Sequence, residues 1–443
     1  MRLLDALTRT RRPGMGFVPK LFYSYRRFLK RLAIFLAIAG PGIIVLVADN
    51  DAGGITTYTV SGARYGYNLL WVVLLMFPMV YFIQEMTVRI GAVTKLGHAE
   101  SVFRGFGRFW GWFLMADLGI VNWLTLVTEY IGMTTALRVL HVPPVLTVAL
   151  AVILLTVMVV TGRYWTFEKL ALVFCLFNFL YIPAAILAKP VWADVARSMV
   201  HPVFPGGLGA GGMMIIVAVV GTTITPWQIV FQQSSVVDKG LDEKDIPFAR
   251  LDTLFGSVFT CVVTAMIMIC GGAAFHYRPD PQVITDAAQA AQMLAPVGGR
   301  VAGVLFAVGL FNAGLLGAIC LSLSSSWAIG EVFGWAHSLN RKVREAPWFY
   351  VTYFLILATS GAVVLIPRAP LVEITLFVQV VAITLLPASL VFMMLILNDR
   401  QLMGNYANSR GQNVIDWTIT LVVIILSTMF GLSVLFPRFF GGG

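Results

Sequence analysis

Apolar stretches long enough to cross a bilayer follow one another along almost the whole chain, near residues 33–60, 69–93, 109–137, 145–161, 168–188, 211–236, 250–275, 299–332, 348–367, 371–397 and 415–436. About 30 Å of hydrocarbon takes roughly 20 apolar residues in a helix, and the missing water forces every backbone polar group to be satisfied internally. The chain therefore reads as an all-α integral membrane protein with 11 transmembrane helices. Of its 443 residues 58% are hydrophobic and 12% charged, which sets soluble classes aside. No linker divides the chain. We expect a basic cytoplasmic N-terminal arm at 1–31, one eleven-helix domain at 32–437 and an extracellular tail at 438–443.

Positive residues are retained on the cytoplasmic side of a membrane. The largest cluster precedes the first span: Arg2, Arg9, Arg11, Arg12, Lys20, Arg26, Arg27, Lys30 and Arg31. The expected N-terminus is cytoplasmic, in a multi-pass protein of the cell membrane, and the short loops suit a bacterial inner membrane. A net charge of +10 does not argue for nucleic acid, because the basic residues sit beside spans, where retention and anionic lipid explain them. The expected partner is the lipid bilayer, and the expected working unit a monomer. Cys261 and Cys270 are nine residues apart on one helix, about 13 Å by helical rise, too far for a disulfide. No Cys or His spacing suggests zinc or iron–sulfur ligation, and no cofactor is expected.

Within the first span, Gly40-Pro41-Gly42 and Asp49-Asn50-Asp51-Ala52-Gly53-Gly54 place helix breakers and carboxylates in mid-membrane. A charged side chain there costs about 2.5–3.5 kcal/mol even on lenient scales, so Asp51 marks a candidate functional site. The span beginning near Gly211 is interrupted in the same way by Gly221-Thr222-Thr223-Ile224-Thr225-Pro226-Trp227-Gln228. Spans one and six are then the first of two five-helix halves, the arrangement of an inverted-repeat carrier with a central site, and span eleven is an addition. Asp51, the Ala48 carbonyl, the Thr222 carbonyl, the Thr225 hydroxyl and the Gln379 amide offer hard oxygens, a set that favours magnesium, calcium or manganese. No Ser/His, Cys/His or His-rich constellation supports enzyme chemistry.

These motifs resemble the Nramp family of divalent-metal transporters. The likeness runs through Gly40-Pro41-Gly42, the Asp51-Ala52-Gly53-Gly54 break, Tyr65-Gly66-Tyr67-Asn68-Leu69-Leu70-Trp71, Arg89-Ile90-Gly91, Glu129-Tyr130-Ile131-Gly132, Ala273-Ala274-Phe275-His276, Gln379 with Leu386-Pro387, and Leu402-Met403-Gly404. The resemblance implies a LeuT-type fold of 5+5 helices plus one, with a metal site at Asp51, Ala48, Gly54, Thr222, Thr225 and Gln379.

The departures are informative. Gly54 stands where the family has an Asn ligand, and Thr225 where it has a Met whose thioether contacts the metal. Losing the sulfur removes the element that favours transition metals, and a wider hard-oxygen site suits a partly hydrated magnesium ion. Trp227 and Gln232 occupy histidine positions and Leu126 an Asp position that serve proton coupling in the family, while Glu129 remains; neither Trp nor Gln titrates. The expectation is a secondary transporter for Mg²⁺, with Mn²⁺ as a further substrate, of the Nramp-related magnesium branch and without proton coupling. A proton-coupled Mn²⁺/Fe²⁺ transporter of the ordinary Nramp type is the alternative.

Overall fold

A computed structural model describes residues 31–138, 140–160, 163–203, 210–277, 287–366 and 371–436. All regular structure among them is helical: α1 Arg31–Ile38, α2 Pro41–Ala48, α3 Ala52–Tyr65, α4 Leu70–Thr94, α5 His98–Phe106, α6 Arg108–Arg138, α7 Pro144–Val160, α8 Tyr164–Leu187, α9 Trp192–Val200, α10 Ala210–Thr223, α11 Pro226–Lys239, α12 Ile246–His276, α13 Ala287–Phe333, α14 Pro347–Val364, α15 Leu371–Asn398, α16 Arg400–Met403 and α17 Arg410–Leu435. Among the described residues eight helices are long and apolar enough to cross a membrane, or nine with the bent pair α1–α2. The expected eleven include α7, which has only 17 residues, and α15, whose apolar stretch is described only in part. The expected arm, apart from Arg31, and the tail lie outside the described residues.

Both expected breaks are present. Asp49 to Asp51 separate α2 from α3, and Ile224 and Thr225 separate α10 from α11. Pro41 and Pro226 each open the following helix, a position where proline costs no hydrogen bond. α10 packs on α3, α11 packs on α2, and α12 runs behind both halves of the first interrupted span. The approach of α12 is close because glycines line it: a Cβ on Gly62 would lie 2.1 Å from the Met268 carbonyl oxygen, and one on Gly271 2.6 Å from that of Thr59. Small residues let membrane helices meet backbone to backbone. Gly62→Ala would force α3 away from α12, and we expect it to lower the unfolding temperature in detergent by several degrees and to abolish function, measured by thermal unfolding.

The Gly40-Pro41-Gly42 breakers read from the sequence make a further interruption. The chain bends by 52° between α1 and α2, and the corner is closed from both sides. Asp252 of α12 accepts from the amides of Gly40 (3.0 Å), Gly42 (2.7 Å) and Ile43 (3.3 Å). Lys239 of α11 donates to the carbonyls of Ile38 (2.8 Å) and Ala39 (3.0 Å) and pairs with Glu168 of α8 at 2.5 Å. Gly40 holds φ +152°, and a side chain there would collide with Glu168. Removing Asp252 would leave three amides without their acceptor, at about 1–3 kcal/mol each if they stay buried. In Asp252→Ala we therefore expect a cysteine placed at Ala39 to label several-fold faster with a water-soluble maleimide. The four native cysteines are buried and add little background.

Arg89 lies on α4 and pairs with Glu85 (3.1 Å) and with Asp416 of α17 (3.5 Å), while Arg250 of α12 holds the other oxygen of Glu85 (2.7 Å). This network ties α17, the least buried of the described spans, to the bundle. Asp238, near the end of α11, accepts from the Ser338 hydroxyl and the Leu339 amide and anchors the segment after α13.

Candidate ion site at the two helix breaks

The first break carries three polar side chains that are almost wholly withdrawn from solvent: Asp49 is 1% exposed, Asn50 0% and Asp51 5%. Asp51 is the N-cap of α3, its Oδ1 accepting from the Gly54 amide at 2.6 Å. Glu129 of α6 reaches the same helix end from the other side, its Oε2 accepting from the Ala52 amide at 3.1 Å. A helix N-terminus favours negative charge, and here it receives two carboxylates. Glu129 Oε1 is buried without a hydrogen-bond partner among the described residues. Gly317 of α13 leaves room for both, since a Cβ there would come 2.8 Å from Glu129 Oε2 and 3.3 Å from the Asp51 Cβ.

The two breaks are tied directly to each other. Gln228, two residues into α11, donates to Asp49 Oδ1 and to the Thr223 carbonyl at 3.1 Å. Tyr58 of α3 and the Thr223 hydroxyl are hydrogen-bonded at 2.6 Å. Asn50 turns to α12, donating to Thr260 Oγ1 (2.8 Å) and accepting from Thr264 (2.9 Å).

Of the residues expected at the site, Ala48 is the buried last residue of α2, Asp51 and Gly54 lie at the start of α3, Thr222 is in the last turn of α10, and Thr225 is the N-cap of α11. Thr225 makes no capping bond, and its Oγ1 is buried without a partner among the described residues. That leaves a hydroxyl oxygen uncommitted at the second break. Gln379 is carried by α15, and its side chain lies outside the described residues. Gln228 was read only as part of the second break, and Thr260, Thr264 and Gly317 were not singled out from the sequence, because neutral side chains and a lone glycine on apolar helices carry no local signal of the face they take.

Among the described residues no three His, Cys, Asp or Glu side chains converge on one point, and no Lys, Arg or His pairs with Asp49, Asp51 or Glu129. The place is anionic and rich in oxygen, and the sulfur beside it among the described residues is the Met76 thioether, which accepts from the Thr223 hydroxyl at 3.8 Å. Chemically it suits a hard cation held by one or two carboxylates with backbone and neutral oxygens, its remaining positions filled by water.

The family model described as "Nramp: Natural resistance-associated macrophage protein-like" matches residues 42–433. The chain belongs to the Nramp family. Relatives within it include the divalent metal cation transporter MntH of Mesorhizobium japonicum, 26% identical over 94% of this chain and 91% of the relative. MntH of Deinococcus radiodurans is likewise 26% identical, over 90% of each chain. A crystal structure of the Eremococcus coleocola manganese transporter superposes with a TM-score of 0.75 at 21% identity, covering 92% of this chain and 88% of that one. MhsT, crystallised with L-phenylalanine, superposes at 0.60 with 14% identity, covering 91% and 98%. These likenesses establish the LeuT-type fold for this Nramp chain.

Proposed function

We propose that this chain carries divalent metal cations across the membrane by alternating access around the two breaks, with Asp51 as the central ligand and Mg²⁺ as the main substrate. The observation that carries the reading is the Asp51 carboxylate, buried at an interrupted span, met by backbone amides at the start of α3 and with no cationic side chain paired with it among the described residues. A buried carboxylate without a counter-ion is poorly solvated, and a bound cation supplies what is missing. The Ala48 and Thr222 carbonyls, the Thr225 hydroxyl and the Gln379 amide are the further oxygens proposed for the ion. The family membership and the names of the relatives support the divalent-metal class.

Magnesium is favoured by what the site lacks. Gly54 brings no side-chain ligand, and Thr225 brings a hydroxyl in place of a thioether, so the donors at these two positions are hard oxygens or water. Proton coupling is disfavoured by Trp227, Gln232 and Leu126. Gln232 donates to Thr253 at 3.0 Å, an uncharged hydrogen bond, and Trp227 and Leu126 are packed in the core. Uptake then runs on the ion's own gradient and the membrane potential, which favours a divalent cation by about 4.6 kcal/mol per 100 mV. The distribution of Lys and Arg supports a cytoplasmic N-terminus in a bacterial inner membrane. The manganese transporters among the relatives support the second reading, a proton-coupled Mn²⁺/Fe²⁺ carrier.

Titration calorimetry on the purified protein separates the two. Saturable heat with MgCl₂ that Asp51→Ala removes supports the magnesium reading. Heat with MnCl₂ and none with MgCl₂ returns the chain to the second.

A further inference from the structure

We propose that Asp49 is a second, specificity-determining carboxylate of the ion site, and that the side-chain amide of Gln228 stands in for the ion while the site is empty. The inference rests on the divalent-cation reading above and concerns residues outside the ligand set given there.

Asp49 sits at the end of α2 and is as deeply buried as the core around it. Among the described residues its acceptors are met by neutral donors: Gln228 Nε2 on Oδ1 and, at 3.4 Å, Thr260 Oγ1 on Oδ2. The same Gln228 nitrogen donates to the Thr223 carbonyl at 3.1 Å. One –NH₂ group therefore bridges an anionic oxygen of the first break and a carbonyl oxygen of the second. A cation between the breaks would take the same place, drawing together oxygens from both interrupted helices. The amide satisfies the hydrogen-bonding geometry but brings no net charge, so the buried carboxylate stays uncompensated until an ion displaces it.

The surroundings suit such a displacement. Gln228 Oε1 already accepts from Gln84 of α4 at 3.3 Å, so the side chain has a second partner on the bundle when its nitrogen lets go. Asn50 does not compete for the place, because both ends of its amide are committed to α12. At Gly54 the oxygens of the break converge: a Cβ there would be 3.2 Å from the Asp49 carbonyl oxygen and 3.2 Å from Asp51 Oδ1. At the second break the Thr225 hydroxyl is buried without a partner among the described residues.

The second carboxylate sets charge selectivity. With Asp51 alone a monovalent cation would neutralise the break. With Asp49 as well the break presents two negative charges, and Coulomb attraction to each is twice as strong for a divalent as for a monovalent ion at the same distance. Asp49 thus selects divalent ions over sodium and potassium.

The test is calorimetric titration of MgCl₂ and MnCl₂ into the purified full-length protein, wild type, Asp49→Asn and Gln228→Leu, with thermal unfolding to show that each is folded. Asp49→Asn keeps the shape and an acceptor for Gln228 but not the charge, and its divalent affinity is expected to fall at least tenfold. Gln228→Leu keeps the bulk but removes the competing amide, and its affinity is expected to rise several-fold. A tie that served only packing would weaken binding in both variants. Wild-type affinity in Asp49→Asn, or a loss in Gln228→Leu as large as that in Asp49→Asn, overturns the proposal while leaving a divalent site at Asp51 intact. Wild-type protein that binds neither ion overturns the underlying reading together with it.

Discussion

Asp51→Ala is expected to reduce divalent-cation binding and flux to the level of protein-free vesicles, and a companion variant separates the two roles of this side chain. Asp51 caps α3 through the Gly54 amide, and replacing a good N-cap by Ala costs about 1 kcal/mol. It is also the buried anion of the break. Asn caps as well as Asp does, so Asp51→Asn should unfold near the wild-type temperature, a few degrees above Asp51→Ala, yet bind no ion. Were the residue only a cap, Asp51→Asn would bind and transport like wild type. Calorimetry and thermal unfolding on the same preparations decide between these outcomes.

The second large effect is a change of selectivity rather than a loss. Gly54→Asn combined with Thr225→Met restores an amide oxygen and a thioether at the two positions where this chain departs from its family. A soft sulfur favours manganese and iron over magnesium, and an additional direct ligand displaces water that magnesium gives up reluctantly. The fit is tight but possible: a Cβ at Gly54 would stand 3.2–3.3 Å from the Asp49 carbonyl, Asp51 Oδ1 and the Tyr58 ring, so neighbours must yield by a few tenths of an ångström. The double variant should bind Mn²⁺ at least tenfold more tightly relative to Mg²⁺ than wild type does. An unchanged Mn²⁺ to Mg²⁺ ratio would mean that these positions do not set selectivity.

Both breaks were legible in the sequence because a membrane-length apolar run leaves glycine, proline and carboxylate no ordinary place. Asp51 and Thr225 followed from that, Gly54 from the resemblance to the family, and Thr225 Oγ1 lies at the second break without a partner among the described residues. What the sequence withheld is which helix faces which. Asp252 holds Gly40 from 212 residues away, and Gln228 reaches Asp49 across 179. Neither pairing leaves a local trace, since each side chain looks like any polar residue on an apolar helix. Arg89 shows the same limit: it pairs with Glu85 one turn away and also with Asp416, far off in sequence on the peripheral helix. Glu129 is spent instead on the Ala52 amide. The breakers at Gly40-Pro41-Gly42 were legible, but not the corner they form, which rests on the positive φ of Gly40 and the Glu168 carboxylate beside it.

The most direct test is uptake into liposomes holding the purified protein, loaded with a magnesium-sensitive and a pH-sensitive dye and driven by an inside-negative potential. The account predicts saturable Mg²⁺ entry, absent in Asp51→Ala, with no change of internal pH beyond that of protein-free vesicles. Mn²⁺ entry with internal acidification and no Mg²⁺ signal would contradict it and make the chain an ordinary proton-coupled member of its family.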